Sequence, residues 1–152
     1  TEKLNGYITG AYIYNKMGLT EQVATTITIA TPNPVRRFRF KNLDIECVKA
    51  YCMVYPDESL VPYLRLLDAI KDMKRIPGTT GQDIYNRVKS QYFNGYSLPE
   101  LEKIVSLAKI YPPRVRKVVA DILGDIRQTV LQTEMAKTIL PTTRFNLDYK
   151  TA

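Results

Sequence analysis

Asp44, Glu46 and Lys49 are the residues of this chain whose types come nearest to a reacting site. Metal-dependent nucleases set an acidic residue and then Glu-x-Lys on a strand, so that carboxylates hold a divalent ion and the lysine faces the scissile phosphate. Here the order is Glu46-Cys47-Val48-Lys49, one residue too many. Side chains alternate along a strand, which turns Lys49 to the face opposite Glu46. Ion pairing within a sheet accounts for the same residues, and a nuclease ranks last among the readings below. The chain contains no histidine and only two cysteines, Cys47 and Cys52. Ordinary four-ligand zinc sites and histidine-based triads are thereby excluded. Both thiols read as free and buried in a reducing cytosol. No catalytic residue, metal ligand or cofactor is assigned, and the chain is expected not to be an enzyme.

Charge is the remaining signal. Lys and Arg number 22 against 15 Asp and Glu, a net charge of +7, which admits nucleic acid or another acidic partner. Two clusters stand out: Arg36, Arg37, Arg39 and Lys41 on a strand-like run, and Arg114, Arg116 and Lys117 just beyond Pro112-Pro113. If Lys41-Asn42 is a two-residue turn, Phe40 faces Leu43, Arg39 faces Asp44, Phe38 faces Ile45 and Arg37 faces Glu46. Cross-strand pairs of opposite charge contribute about 0.2–1 kcal/mol each, so half of this row is answered locally. The second cluster opens a helix, where the dipole favours anions. Its cations are expected to be electrostatically unrelieved, and it ranks first as a contact for nucleic acid or an acidic partner.

The elements that would carry these residues follow from periodicity. Residues 7–9 form a short strand between glycines, and 11–17 a short helix with Tyr12, Ile13 and Met17 inward and Gly18 as its stop. Tyr7, Tyr12 and Tyr14 are expected in the core and its rim rather than in a base-stacking platform. From Thr25 the period becomes two, and Ile27, Ile29, Phe38, Phe40, Leu43, Ile45 and Cys47 predict a β-meander with a turn at Pro32-Asn33-Pro34. Leu60, Tyr63, Leu64, Leu67, Ile70 and Met73 then keep helical spacing to about Arg75, where Ile76-Pro77-Gly78 ends it. Thr80 opens another helix, and Ser97-Leu98-Pro99-Glu100 is a capping box for the next. Leu98, Leu101, Ile104, Val105 and Ala108, then Val115, Val118, Val119, Ile122, Leu123, Ile126 and Val130, describe two amphipathic helices meeting at Pro112-Pro113. Proline cannot continue the first helix but fits the first turn of the second.

The expected fold class is α+β: a small antiparallel or mixed sheet in the first third packed against four to five helices, with a proline-cornered helical hairpin. One domain spans 1–137, and 138–152 form an extended tail docked through Leu140, Phe145 and Leu147. No stretch has the apolar length of a membrane span and no signal pattern leads the chain. The expected location is the cytoplasm.

Several segments carry a resemblance. Gly6-Tyr7-Ile8-Thr9-Gly10, Ile13-Tyr14-Asn15 and Gly18 to Val23 are similar to the start of the C-terminal domain of AbiEi-type antitoxins, of the type IV toxin-antitoxin systems. Leu66 to Thr80 resembles that family's helix ending in Lys-x-Ile-Pro-x-Thr-Thr. Leu107 to Arg116, with Ile122-Leu123-Gly124, resembles its Tyr-Pro-Pro-x-x-Arg element, and Leu140-Pro141-Thr142-Thr143 its tail. The resemblance implies a non-enzymatic domain that neutralises a co-encoded nucleotidyltransferase toxin, directly or through the toxin's target or expression. In a complete protein with an N-terminal winged helix-turn-helix it would support autoregulatory DNA binding. Nothing before Gly6 supplies such a motif, and Arg116 to Asp121 is less apolar than the family's pattern. The alternative is a nucleic-acid-binding regulatory module without a toxin partner.

Overall fold

A computed structural model describes residues 6–32, 37–51, 57–145 and 149. Arg36, Cys52 and Leu147 lie outside the described residues. Strands β1 (Tyr7–Thr9), β2 (Thr26–Thr31), β3 (Phe38–Phe40) and β4 (Leu43–Lys49) form one sheet in the order β1-β2-β4-β3. The β1–β2 and β3–β4 pairs are antiparallel, whereas β2 and β4 run parallel. The expected meander is corrected by this order, because β3 is not a neighbour of β2. Length and exposure explain the exchange. β4 has seven residues and can match all six of β2, while β3 has three, all exposed, and is flanked by charge. Short, charged strands belong at sheet edges, where they discourage pairing with other chains.

The hairpin register is the one predicted: Phe38 opposite Ile45, Arg39 opposite Asp44, Phe40 opposite Leu43. Lys41 and Asn42 have φ of 49° and 67°, the two positive values that a tight two-residue turn requires. Partners in register share a face. Tyr7, Ala30 and Val48 point towards the helices with Thr9, Thr28 and Glu46, and Ile8, Ile29 and Cys47 point away.

Helix α1 (Ala11–Lys16) packs on the sheet and on α2 (Val61–Lys71). Leu64, Leu66, Leu67, Asp68, Ala69 and Ile70 are all buried, so α2 is enclosed almost all round, as a central helix must be. Around it lie α3 (Gly81–Gln91), α4 (Leu98–Ala108) and α5 (Pro113–Asp125), with α6 (Thr129–Ala136) against α4 and α5. The α4 capping box forms as predicted, with the Glu100 backbone N–H donating to Ser97 and the Ser97 N–H donating to Glu100. Pro112 and Pro113 start α5, and Tyr111 between the two helices is buried.

One helix was expected to run on to Val130; instead α5 stops at Asp125 and Val130 is 80% exposed. A Schellman turn stops it. Arg127 takes φ of 65° while the Gln128 N–H donates to Leu123 O at 2.8 Å and the Arg127 N–H to Gly124 O at 3.0 Å. The same turn ends α1, where Gly18 at φ 78° fills the position that Arg127 fills in α5. A side chain at this position is strained and glycine is not. Arg127→Gly should therefore raise stability by about 0.5–1 kcal/mol, net of glycine's greater unfolded-state entropy. Urea denaturation of the two proteins measures the difference, and a loss of stability would refute it.

Candidate functional site

The most enclosed carboxylic acid among the described residues is Asp68, 3% exposed in the middle of α2. Three hydroxyls from distant segments donate to it: Tyr7 to Oδ2 at 2.6 Å, Thr9 to Oδ2 at 2.8 Å and Tyr111 to Oδ1 at 2.7 Å. Burial pushes the Asp68 carboxyl above its ordinary value, against the opposing pull of the Tyr7 and Tyr111 hydroxyls, Lys71 and Thr9. Burial, with Asp68 beside it, likewise drives the Tyr111 phenol far up and keeps it a donor. The sequence reading missed this cluster. Its signal was available: Asp68 lies four residues after Leu64, on the apolar side of a helix, where a carboxylate needs partners.

Beside this hub a cleft of about 640 Å³ opens between the sheet and the ends of two helices. Thr26, Thr28 and Glu46 supply the sheet wall, and Tyr14 of α1 stands nearby. Lys71, Asp72, Arg75 and Arg114 supply the helical wall. Asp72 accepts from the Tyr14 hydroxyl at 2.7 Å and lies 3.8 Å from Lys71 Nζ, which also sits 5.5 Å from the centre of the Tyr51 ring. Burial above all, then Asp72, raises the Tyr14 phenol well above its usual value. Arg75 is exposed at the rim.

The predicted residues divide sharply. Arg37 pairs with Glu46 at 3.5 Å and Arg39 with Asp44 at 3.2 Å, as the register required, and both arginines remain largely exposed. Lys41 Nζ lies 5.4 Å from the centre of the exposed Phe40 ring. Arg114, Arg116 and Lys117 were expected to be unrelieved, and that is corrected. Arg114 donates to Lys71 O at 2.9 Å, placing its charge at the C-terminal end of α2, where the dipole suits a cation. Arg116 bonds to Tyr111 O at 3.1 Å and also to Thr138 O. Lys117 pairs with Asp121 at 3.1 Å. Arg114 reaches the cleft, Arg116 ties the elbow to the segment just beyond α6, and Lys117 is held on its own helix.

Of the residues expected to dock the tail, Phe145 is half-buried and Leu147 lies outside the described residues. Leu140 is 72% exposed, while Tyr149 is buried, donates to Asp121 Oδ2 at 2.7 Å and stacks on Tyr85 at 5.0 Å. Lys49 lies on the sheet face away from Glu46. Among the described residues no group of three or more His, Cys, Asp or Glu could hold a metal ion, and Cys47 is a half-buried free thiol. No described helix is long and apolar enough to cross a membrane. Compared with family models, curated proteins and solved structures, the chain matches none.

Proposed function

We propose that the chain is a non-catalytic antitoxin domain of the AbiEi type, acting in the cytoplasm to neutralise a co-encoded nucleotidyltransferase toxin. In a complete protein with an N-terminal winged helix-turn-helix it would support autoregulatory DNA binding. The observation that carries this reading is that the separate segments bearing the resemblance are bonded to one another. Tyr7 and Thr9 from the first segment, Asp68 from the second and Tyr111 from the third meet at one carboxylate. Thr20 joins the first to the second again by donating to Pro77 O at 2.7 Å. Segments that a family domain holds in common are expected to form one packing unit, and these do.

The surface we assign to the partner is the β3–β4 hairpin. Arg37 and Arg39 stand on one face of it and exposed Phe38, Phe40 and Leu43 on the other, with Lys41 at the turn, so this edge of the sheet presents both cations and aromatic rings, which suit protein or nucleic-acid contact. The test is co-expression with the nucleotidyltransferase encoded beside the gene. The unaltered chain should restore growth, and the doubly reversed variant Arg37→Glu/Arg39→Glu should restore it at least about tenfold less at equal protein level. Failure of the unaltered chain to rescue would sink the antitoxin reading, and full rescue by the variant would remove the hairpin from the interface. The same exposed cations favour one second reading, a nucleic-acid-binding regulatory module. That reading requires affinity for duplex DNA to fall steeply with salt, and a flat response ends it.

A further inference from the structure

We propose that the cleft between the sheet and the ends of α2 and α5 binds a small molecule through a phosphomonoester group. The volume, about 640 Å³, falls within the range of about 300–1,000 Å³ typical of small-molecule pockets. Its charge is unbalanced. Lys71, Arg75 and Arg114 face Glu46 and Asp72, and both carboxylates are already engaged. Glu46 pairs with Arg37, which lies outside the cleft lining, and Asp72 accepts from Tyr14 and lies near Lys71. The cations keep donors in reserve. Arg114 has committed one of its terminal nitrogens to Lys71 O, and the Arg75 side chain has no partner among the described residues.

Hydroxyls face these cations across the gap. The Thr26 and Thr28 side chains line the sheet wall and have no hydrogen-bond partner among the described residues. A carboxylate offers two oxygens to this set, whereas a phosphomonoester offers three strong acceptors and nearly two negative charges. Guanidinium groups match phosphate oxygens in pairs, and Arg114 is half-buried and held in place before any ligand arrives, which limits the entropy lost on binding. Val48, Ile76 and Pro77 give the remaining wall an apolar character suited to the body of a metabolite.

A nucleic-acid backbone fits less well, because it needs cations that continue along a track. Here they stop. The next two basic residues of α5, Arg116 and Lys117, are turned to Thr138 and Asp121. The site therefore presents one anion-sized cluster, and it stands independently of the antitoxin reading.

Calorimetric titration of the purified chain tests this with inorganic phosphate, AMP and glucose 6-phosphate, set against adenosine and glucose. At least one ester should bind more tightly than inorganic phosphate, and its neutral counterpart should not bind. Arg75→Ala should weaken the ester about tenfold, and Lys137→Ala, an exposed cation just beyond α6, should leave it unchanged. No binding by any phosphate-bearing probe, equal losses in the two variants, or equal binding of the neutral counterparts would overturn the proposal. Inorganic phosphate matching every ester would reduce the cleft to a bare anion site and overturn it as well.

Discussion

Asp68→Ala lowers the unfolding free energy by about 3–5 kcal/mol in urea denaturation, the loss expected when one side of a buried, hydrogen-bonded charge cluster is removed. The substitution deletes one acceptor group and orphans three donors, the hydroxyls of Tyr7, Thr9 and Tyr111. Water cannot easily replace the carboxylate in a region where Leu64, Leu67 and Ala108 are fully buried. Tyr111→Phe removes a single donor and leaves Asp68 with two, so its cost should be smaller, about 1–2 kcal/mol. A loss below 1 kcal/mol for Asp68→Ala would mean that the three hydroxyls find other acceptors. The pH dependence has a definite sign. Because burial holds the carboxyl above its ordinary value, the native state keeps a proton that the unfolded chain releases. That stabilisation is complete below the unfolded-state value, about 4, and is lost as pH rises through the folded-state value. The deficit of Asp68→Asn relative to the parent should therefore shrink between pH 3.5 and pH 7.

Gly10→Ala should cost about 2–4 kcal/mol, from two causes that act together. Gly10 has φ 81° and ψ −169°, a region of backbone space that residues with a Cβ essentially do not enter. A Cβ there would also stand 2.6 Å from Thr28 Oγ1 and 2.7 Å from Thr28 Cβ, on the neighbouring strand. Strand β1 and helix α1 join at this residue, so relieving either strain moves Thr9 away from Asp68 or Tyr14 away from Asp72. Thermal unfolding followed by circular dichroism reads the loss. The double variant Gly10→Ala/Thr28→Ser, which trims the Thr28 methyl but not its Cβ or Oγ1, should recover only a small part of it. Full recovery would show that overlap with the methyl, and not the backbone, carries the cost.

The parts of the fold legible in the sequence were those decided within a few residues. The hairpin register followed from Lys41-Asn42 and the alternation on either side, the α4 start from Ser97 and Glu100, and the α1 stop from Gly18. The Schellman turn after α5 was invisible because it is built on Arg127, a residue with no preference for positive φ, and apolar spacing continued past it to Val130. Strand order was equally hidden. Nothing local tells a chain that the second strand of a hairpin will lie inside the first; the choice follows from which strand can match β2 along its length. For the candidate site, Arg37 and Arg39 were read correctly as paired because their partners lie on the adjacent strand. The partners of Arg114 and Arg116 are backbone carbonyls of Lys71, Tyr111 and Thr138, groups that every residue possesses and no composition argument can see. Asp68 was legible in principle, as a carboxylate on an apolar helix face, and its donors were not.

The separations within the hub also bear on the order of events in folding. The donors stand 43, 59 and 61 residues from Asp68 along the chain, whereas the capping box and the two Schellman turns close over five residues or fewer. Helical turns form in a microsecond or less, but two long loops, one from the β1 strand and one from Tyr111, must both be closed before the carboxylate is satisfied. We therefore expect the hub to form in the final descent from the transition state rather than in the nucleus. In stopped-flow measurements the Asp68→Ala deficit should fall almost wholly on the unfolding limb of the chevron. What the hub supplies to this protein is then persistence: it governs how long the native state lasts once made, and has little to do with how quickly it is reached.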